Sequence, residues 1–363
     1  MNNRTGRSVL ASMAMAGLVM LMVFVTACSS KNEEAASTAS AEAAPSETTS
    51  ASPSASPAES PSEPIAKELF PVTQVTNWVA QPEHGGNYAA LAKGFYKDAG
   101  LDMTIQSGGP GVSATALVAA GQAQFGMGSS DEILLARENG IPLVGIAGIF
   151  QKSPQALLFH KGQDIKDFGD LNGRTVYVSS GAGYWEYMKK AFKLDKVKEM
   201  KYNFELTSFV NDPKSIVQCY ITSEPYDLQL QGIETEYLLN ADSGFNPYGN
   251  LMYTTESFIK EHPEEVRAFV EATIKGWQYY IDNYTEINPI IHEKNPDQPL
   301  EKMEFGGKAL KPLVAGGDAE TAGIGIMTKE RWEEINKQLV EVGVLKAPQD
   351  TSKAFTTEFL PKK

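Results

Sequence analysis

The chain has 363 residues, a formal net charge of −13 at pH 7, four histidines and two cysteines. Such acidity argues against nucleic acid and against lying on anionic lipid. A single cysteine beyond the leader excludes a disulfide framework and a cysteine metal cluster, and His84, His160, His262 and His292 lack the HExxH spacing of zinc peptidases.

In chain order, "MNNRTGR" is a basic start, an apolar run follows from Val9 to Val25, and "VTACSS" closes it. This pattern predicts a secretory signal over residues 1–27. Its ending resembles the bacterial lipobox, which implies an acylated Cys28 as the mature N-terminus. From 29 to 64 the chain has no aromatic residue and no Val, Ile or Leu. Nothing there can be buried to offset ordering entropy, so residues 28–66 are expected to form a disordered Ser/Ala/Pro/Glu tether. The result would be a domain held near a membrane by its lipid yet free to swing.

Beyond 66 the periodicity alternates. "PVTQVTNWVA" predicts a strand. "YAALAKGFYKDAG" predicts a helix with Tyr88, Leu91, Ala92 and Phe95 on one face, and "LDMTIQS" a second strand. "GGPGVSATALVAAG" turns into a helix, "QFGMGSS" is a short strand, "DEILLARENG" a helix, and "PLVGIAGIF" and "QALLFH" apolar strands. In the middle, "GRTVYVSSGAGYWEYMKKAF" predicts strand, glycine turn and helix. "YNFELTSF" predicts a strand, "DPKSIVQCY" a short helix, and "YITSEPYDLQL" a strand leading into a loop. The last third is mostly helical. Strand–helix alternation predicts an α/β architecture with largely parallel sheets. We expect a first lobe over 67–161, a second over 162–248, and a return to the first over 249–363.

Ligands in open α/β sheets sit beyond the carboxyl ends of strands. The predicted strand ends carry Trp78 to Tyr88, "SGGPG" at 107–111, "GSSDE" at 128–132 and "SSGAGYW" at 179–185, joined by "TSEPY" and "GFNPYG". "SGGPGVS" before a helix exposes N–H groups suited to an anion, or is simply a tight turn. It matches neither GxGxxG nor a P-loop. Trp78, Tyr88, Tyr184, Trp185, Tyr226 and Tyr248 suggest a cleft that covers something flat. Glu224 is suited to accept hydrogen bonds from a heterocycle's N–H or amino group. His84 with Glu83 or Asp131 could form an acid–base pair, but GxSxG is absent, so no catalytic residue is assigned. No metal or cofactor is expected.

"NWVAQPEHGGNYAALAKGFYKDAGLDMTIQSGGPG", "AGQAQFGMGSSDEILLARENGIPLVGIAGIFQKSPQALLFH", "SEPY", "GFNPYG" and "EEVRAFVEATIKGWQYYI" together resemble the substrate-binding proteins of ABC importers. The likeness is to the thiamine-pyrimidine-precursor and riboflavin-related group, near the taurine, sulfonate and nitrate binders, and spans nearly all of 67–348. It implies a two-lobed type II periplasmic-binding fold that closes by a hinge near 152–161 and 249–254. It also implies a monomeric extracytoplasmic lipoprotein that hands a small planar N-heterocycle to permease and ATPase subunits. Trp78, His84, Tyr88, Asp131, Glu224, Tyr226 and Tyr248 would then bind the ligand, with Trp78 as one flat face, Tyr226 or Tyr248 as the other, and Gly85-Gly86 letting backbone approach the ring edge. The alternatives are an organic anion on "SGGPG", and an enzyme like the related fungal thiamine-pyrimidine synthases. Those use pyridoxal phosphate and iron and carry a cysteine-rich loop, whereas this chain has only Cys219 in the mature domain.

Overall fold

The computed structural model describes residues 68–362; the expected leader, Cys28 and the tether lie outside the described residues. The strands are β1 (Phe70–Val75), β2 (Leu101–Gln106), β3 (Phe125–Gly128), β4 (Leu143–Phe150), β5 (Gln155–His160), β6 (Thr175–Val178), β7 (Lys198–Lys201), β8 (Ile216–Tyr220), β9 (Thr235–Leu239) and β10 (Gly249–Thr255). They form two five-stranded sheets, ordered β2-β1-β3-β10-β4 and β7-β6-β8-β5-β9. The sheets share one plan. In each, three strands run parallel, and a strand antiparallel to the third joins it to the last. β4, "LVGIAGIF", is buried along its whole length, as an unbroken apolar run in a covered sheet should be.

The chain passes to the second sheet at 151–154 and returns at 240–248. Gln155–His160, expected in the first lobe, therefore pairs in the second, because β5 is hydrogen-bonded to β8 and β9. Three further expectations are corrected in this region. "DPKSIVQCY" contains strand β8, since its β-branched Ile216 and Val217 lie in the sheet core. The segment at "SEPYDLQL" is the helix Glu224–Leu230, whose Pro225 and acidic first turn are helix-start signals. "YNFELTSF" is a loop running into the helix Thr207–Asn211.

The helix predicted from Tyr88 through Phe95 breaks at Gly94 (φ 74°), which leaves Leu91 exposed. Its first part, Gly85–Ala92, packs against the long helix Pro263–Lys294. A Cβ on Gly276 would come within 2.1 Å of the Gly86 carbonyl oxygen, and one on Gly85 or Gly86 would overlap Tyr280 or Trp277. The Gly-Gly pair thus serves close helix packing and does not bring backbone to a ligand. Beneath the first sheet, Phe125 and Phe269 stack at 3.7 Å between centroids. The C-terminal helix Lys329–Glu341 touches both Ser130–Glu138 and Gly183–Ala191, so it buttresses the two lobes together.

Candidate functional site

In the first sheet β2 lies on one side of β1 and β3 on the other; β7 and β8 flank β6 in the same way. Each reversal opens a crevice beyond the strand ends. Two adjoining cavities occupy that region, of about 330 Å³ and about 390 Å³. They share Asn77, Gln155, Tyr220 and Asn250 as walls, so they form one cleft with two compartments.

The larger compartment is aromatic. Trp78, just past β1, faces Phe204 of the second lobe at 5.3 Å between centroids and 36° between planes. Phe204 leans on Tyr202 at 5.3 Å and is itself 59% exposed. Its φ is +65°, a conformation that costs a bulky residue of order 1–3 kcal/mol and gathers at functional sites. Glu224 opens the helix after β8, where its Oε2 accepts the Tyr220 N–H at 2.8 Å. Burial pushes its carboxyl up to about 7, against the pull of backbone N–H groups and Lys302. Lys302 itself is paired with Asp227 at 2.6 Å.

A hydrogen-bond relay builds the floor. The Asn250 Nδ2 donates to the Glu83 carbonyl, so its Oδ1 must accept from Asn77 Nδ2, at 3.2 Å. Asn77 Oδ1 then faces His84 Nε2 at 2.9 Å, which must donate. Burial lowers the His84 pKa to about 3, so the ring is neutral with its proton on Nε2. His84 is fully enclosed and holds Asn77; it does not reach the cleft. The Glu83 carboxyl, pushed up by burial, accepts from the Thr222 hydroxyl and so ties the two lobes.

The smaller compartment is polar. Asp131 and Glu132 enter it from the first turn of the helix Ser130–Glu138, across from Ser179, Gly183 and Tyr184. Glu132 Oε2 accepts the Ser129 N–H at 3.1 Å. Glu132 opens onto the cavity but is walled by protein, and that desolvation, with Asp131 alongside, pushes its carboxyl up to about 7. Burial also raises Asp131, against hydrogen bonds from Ser129 and from backbone N–H groups. Tyr184 Oη donates to Gln218 Oε1 at 2.6 Å.

Of the seven residues expected to bind ligand, the cleft brings together Trp78, Asp131 and Glu224. Tyr88 is buried in the core of the first lobe, bonded to Ser107. Tyr226 packs on Phe305 at 5.6 Å, away from the lining. Tyr248 is fully buried: its hydroxyl accepts the Thr328 N–H at 2.9 Å, and its ring lies under the Arg331 guanidinium at 3.8 Å. The same guanidinium donates to Gln151 O and Asn246 O, both at 2.7 Å, so it clasps the two crossings between the lobes. "SGGPG" lines neither compartment: a Cβ on Gly108 would sit 2.1 Å from the Thr76 carbonyl, and the Gly108 N–H donates to Thr76 Oγ1. Sequence reasoning missed Asn77, Tyr202, Phe204, Tyr220, Asn240, Asn246 and Asn250. Only the closely spaced aromatics Tyr202 and Phe204, set in a polar segment, carried a signal.

Among the described residues no helix is long and apolar enough to cross a membrane, and no group of His, Cys, Asp and Glu could hold a metal. Cys219 is free and buried, with its thiol pushed up by burial.

The chain is 26% identical to a riboflavin-binding protein, RibY, of Chloroflexus aurantiacus, over 80% of this chain and 86% of that one. It is 24% identical to a formylaminopyrimidine-binding protein of Halalkalibacterium halodurans, over 79% and 89%. A 4-amino-5-hydroxymethyl-2-methylpyrimidine phosphate synthase of Saccharomyces cerevisiae is 25% identical over 60% of this chain and 72% of its own length. Among solved structures, the sulfonate-binding protein SsuA of Methylobacillus flagellatus superposes with a TM-score of 0.60 at 12% identity, covering 81% of this chain and 93% of its own. The shared fold is the α/β periplasmic-binding architecture. The family described as NMT1/THI5 like matches residues 81–287, more than half of the chain, and the protein belongs to it.

Proposed function

We propose that the protein is the ligand-capturing component of an ABC importer, closing its lobes on a small planar nitrogen heterocycle. The observation that carries this reading is the pair Trp78 and Phe204, brought from different lobes to opposite sides of one cleft with Glu224 beside them. The two rings now touch at 5.3 Å between centroids, so a flat ring would enter as they part and gain two π-faces, with Glu224 accepting from its N–H or amino group. The compartment of about 390 Å³ is of a size for a small ligand. An organic anion is disfavoured by the walls: Glu83, Asp131, Glu132, Glu224 and Asp227 face the cleft, and Lys302, the one lysine or arginine among the described lining residues, is taken by Asp227. Capture as a lipoprotein anchored at Cys28 is part of the same proposal. Cys28→Ala should leave the protein unprocessed or released; a variant that still partitions with detergent as a processed lipoprotein would remove the anchor.

The test of the ligand class is calorimetric titration of the parent and Trp78→Ala with pyrimidines, flavins and sulfonates. The parent should bind a heterocycle and the variant should bind it weakly. Sulfonate binding that is indifferent to Trp78 would overturn the reading, and turnover of a bound heterocycle would replace it with the synthase alternative.

A further inference from the structure

The helix Leu300–Ala315 belongs to the first lobe and packs on the second through the helix Glu224–Leu230. Its two ends meet different surroundings. Near its start, Lys302 lines the aromatic compartment and pairs with Asp227 of the second lobe at 2.6 Å. At its middle the second lobe rests directly on it. A Cβ on Gly306 would lie 2.9 Å from the Thr222 carbonyl oxygen, while the Thr222 hydroxyl donates to Glu83. Phe305 packs on Tyr226 at 5.6 Å between centroids. Toward its end the lobes part. Ala309, Pro312 and Leu313 form one wall of a groove of about 420 Å³, and Tyr237, Leu238 and Leu239 of β9 form the other.

The ligand cleft and this groove lie on opposite sides of the Gly306–Thr222 contact. Tyr220 and Ser223 line the cleft, whereas Ile221, between them, lines the groove. At the return crossing Asn240 and Ala241 line the cleft and Asp242 lines the groove, where Lys152 pairs with it at 2.8 Å. The two walls are otherwise apolar, they come from different lobes, and Tyr237 is left 48% exposed. Apolar surfaces held apart in this way gain by meeting and shedding their water. A rigid lobe that rocks about Thr222 narrows one gap as it widens the other.

We propose that the helix Leu300–Ala315 is a beam on which the second lobe rocks about the Gly306–Thr222 contact. The Lys302–Asp227 pair and the Trp78–Phe204 contact hold the front shut. Closure of the rear groove, with Ala309, Pro312 and Leu313 meeting β9, holds the front open. The chain itself supplies the cover for its exposed apolar wall, and the groove stands empty only while the cleft is closed. Because the two arrangements compete in the empty protein, residues that touch no ligand set how readily the cleft opens and how tightly it holds.

The experiment measures the lobes directly. Spin labels go on Val112→Cys, in the turn after β2, and Ser208→Cys, in the helix Thr207–Asn211, both exposed and on different lobes. The full chain carries Cys28→Ser, buried Cys219 stays in place, and native mass spectrometry shows the protein to be empty. Pulsed electron resonance then reads the share of short and long distances. Lys302→Met should raise the ratio of long to short about tenfold over the parent. Adding Ala309→Trp, which props the groove, or Tyr237→Ser, which strips its wall, should bring that ratio back down about fivefold. Tyr237 is exposed, so its variant keeps the test intact where the larger indole disturbs folding, and thermal unfolding checks both. An unchanged distance in Lys302→Met would overturn the proposal. So would an opened population that the rear substitutions leave open. Either failure leaves the heterocycle reading standing, because no ligand enters the measurement.

Discussion

Two strand-to-helix turns of the first sheet look alike in sequence and differ in what they do. "SGGPG" follows β2 and "GSSDE" overlaps the end of β3; both have glycine, serine and a following helix. Yet β2 is the sheet's edge and β3 flanks the reversal beside β1. The first turn packs on the backbone of Thr76 and faces no cavity, whereas the second sends Asp131 and Glu132 into the cleft. A turn's chemistry is therefore decided by where its strand lies in the sheet order, and not by its glycines. The second sheet follows this for its inner strands and departs from it at its edge. Ser179 after β6, Tyr220 at the end of β8, and Ser223 and Glu224 just beyond it line the cleft, but β7, at the edge, ends on a loop long enough for Tyr202 and Phe204 to reach back to it.

The sharpest way to break this comparison is Gly108→Ala. A Cβ there lies 2.1 Å from a backbone oxygen, so the substitution should cost about 3 kcal/mol of stability. Ligand affinity of the protein that remains folded should stay that of the parent. Denaturant unfolding and titration together check it, and abolished binding by a stable variant would restore the organic-anion site.

His84 sharpens the account of the turn after β1. Its folded pKa of about 3 lies below the ordinary 6.5, so the folded chain binds fewer protons than the unfolded one. Its contribution is present above pH 6.5 and is lost as the pH falls toward 3, by up to roughly 1.4 kcal/mol per unit. Glu132 and Glu224, raised from 4.5 to about 7, act with the opposite sign, their contribution being lost as pH rises through 7. The difference between parent and His84→Gln, followed by unfolding from pH 7 to 4, isolates the histidine. The parent should lose up to roughly 3 kcal/mol more than the variant.

Trp78→Ala should weaken the ligand by about 1–3 kcal/mol, tenfold to hundredfold, with little change in unfolding midpoint. Tyr226→Phe, away from the lining, should change neither. Smaller still is the effect of pH on binding. With its carboxyl at about 7, Glu224 must lose a proton to accept twice from an amino-bearing ring, so affinity should rise from pH 6 to 8 by up to about tenfold. In Glu224→Gln the profile should be flat; an equal slope in both would assign the titration elsewhere.

Much of the fold was legible because its strands and long helices carry clean periodicities: β1, β2, β4 and the helix Pro263–Lys294 follow from alternation, apolar runs and the 3.6-residue repeat. The stretch from 203 to 230 was misread because short elements there are set by sheet pairing more than by local preference. For the site, strand-end logic pointed to Trp78, Asp131 and Glu224, which line the cleft. It also pointed to His84, Tyr88 and Tyr248, polar-tipped rings that the fold encloses away from the cleft, each bonded to a neighbour inside the protein. Asn240, Asn246 and Asn250 could not be found that way. They sit at the return crossing or at the start of β10, where two distant segments meet and no local pattern announces the meeting.

The most direct measurement is native mass spectrometry of protein purified from its own cells, in parent form and as the Trp78→Ala/Phe204→Ala double variant. The account predicts that the parent carries one planar nitrogen heterocycle and that the double variant, folded by circular dichroism, comes out empty. An organic anion on the parent, or the same heterocycle retained by the variant, would contradict it.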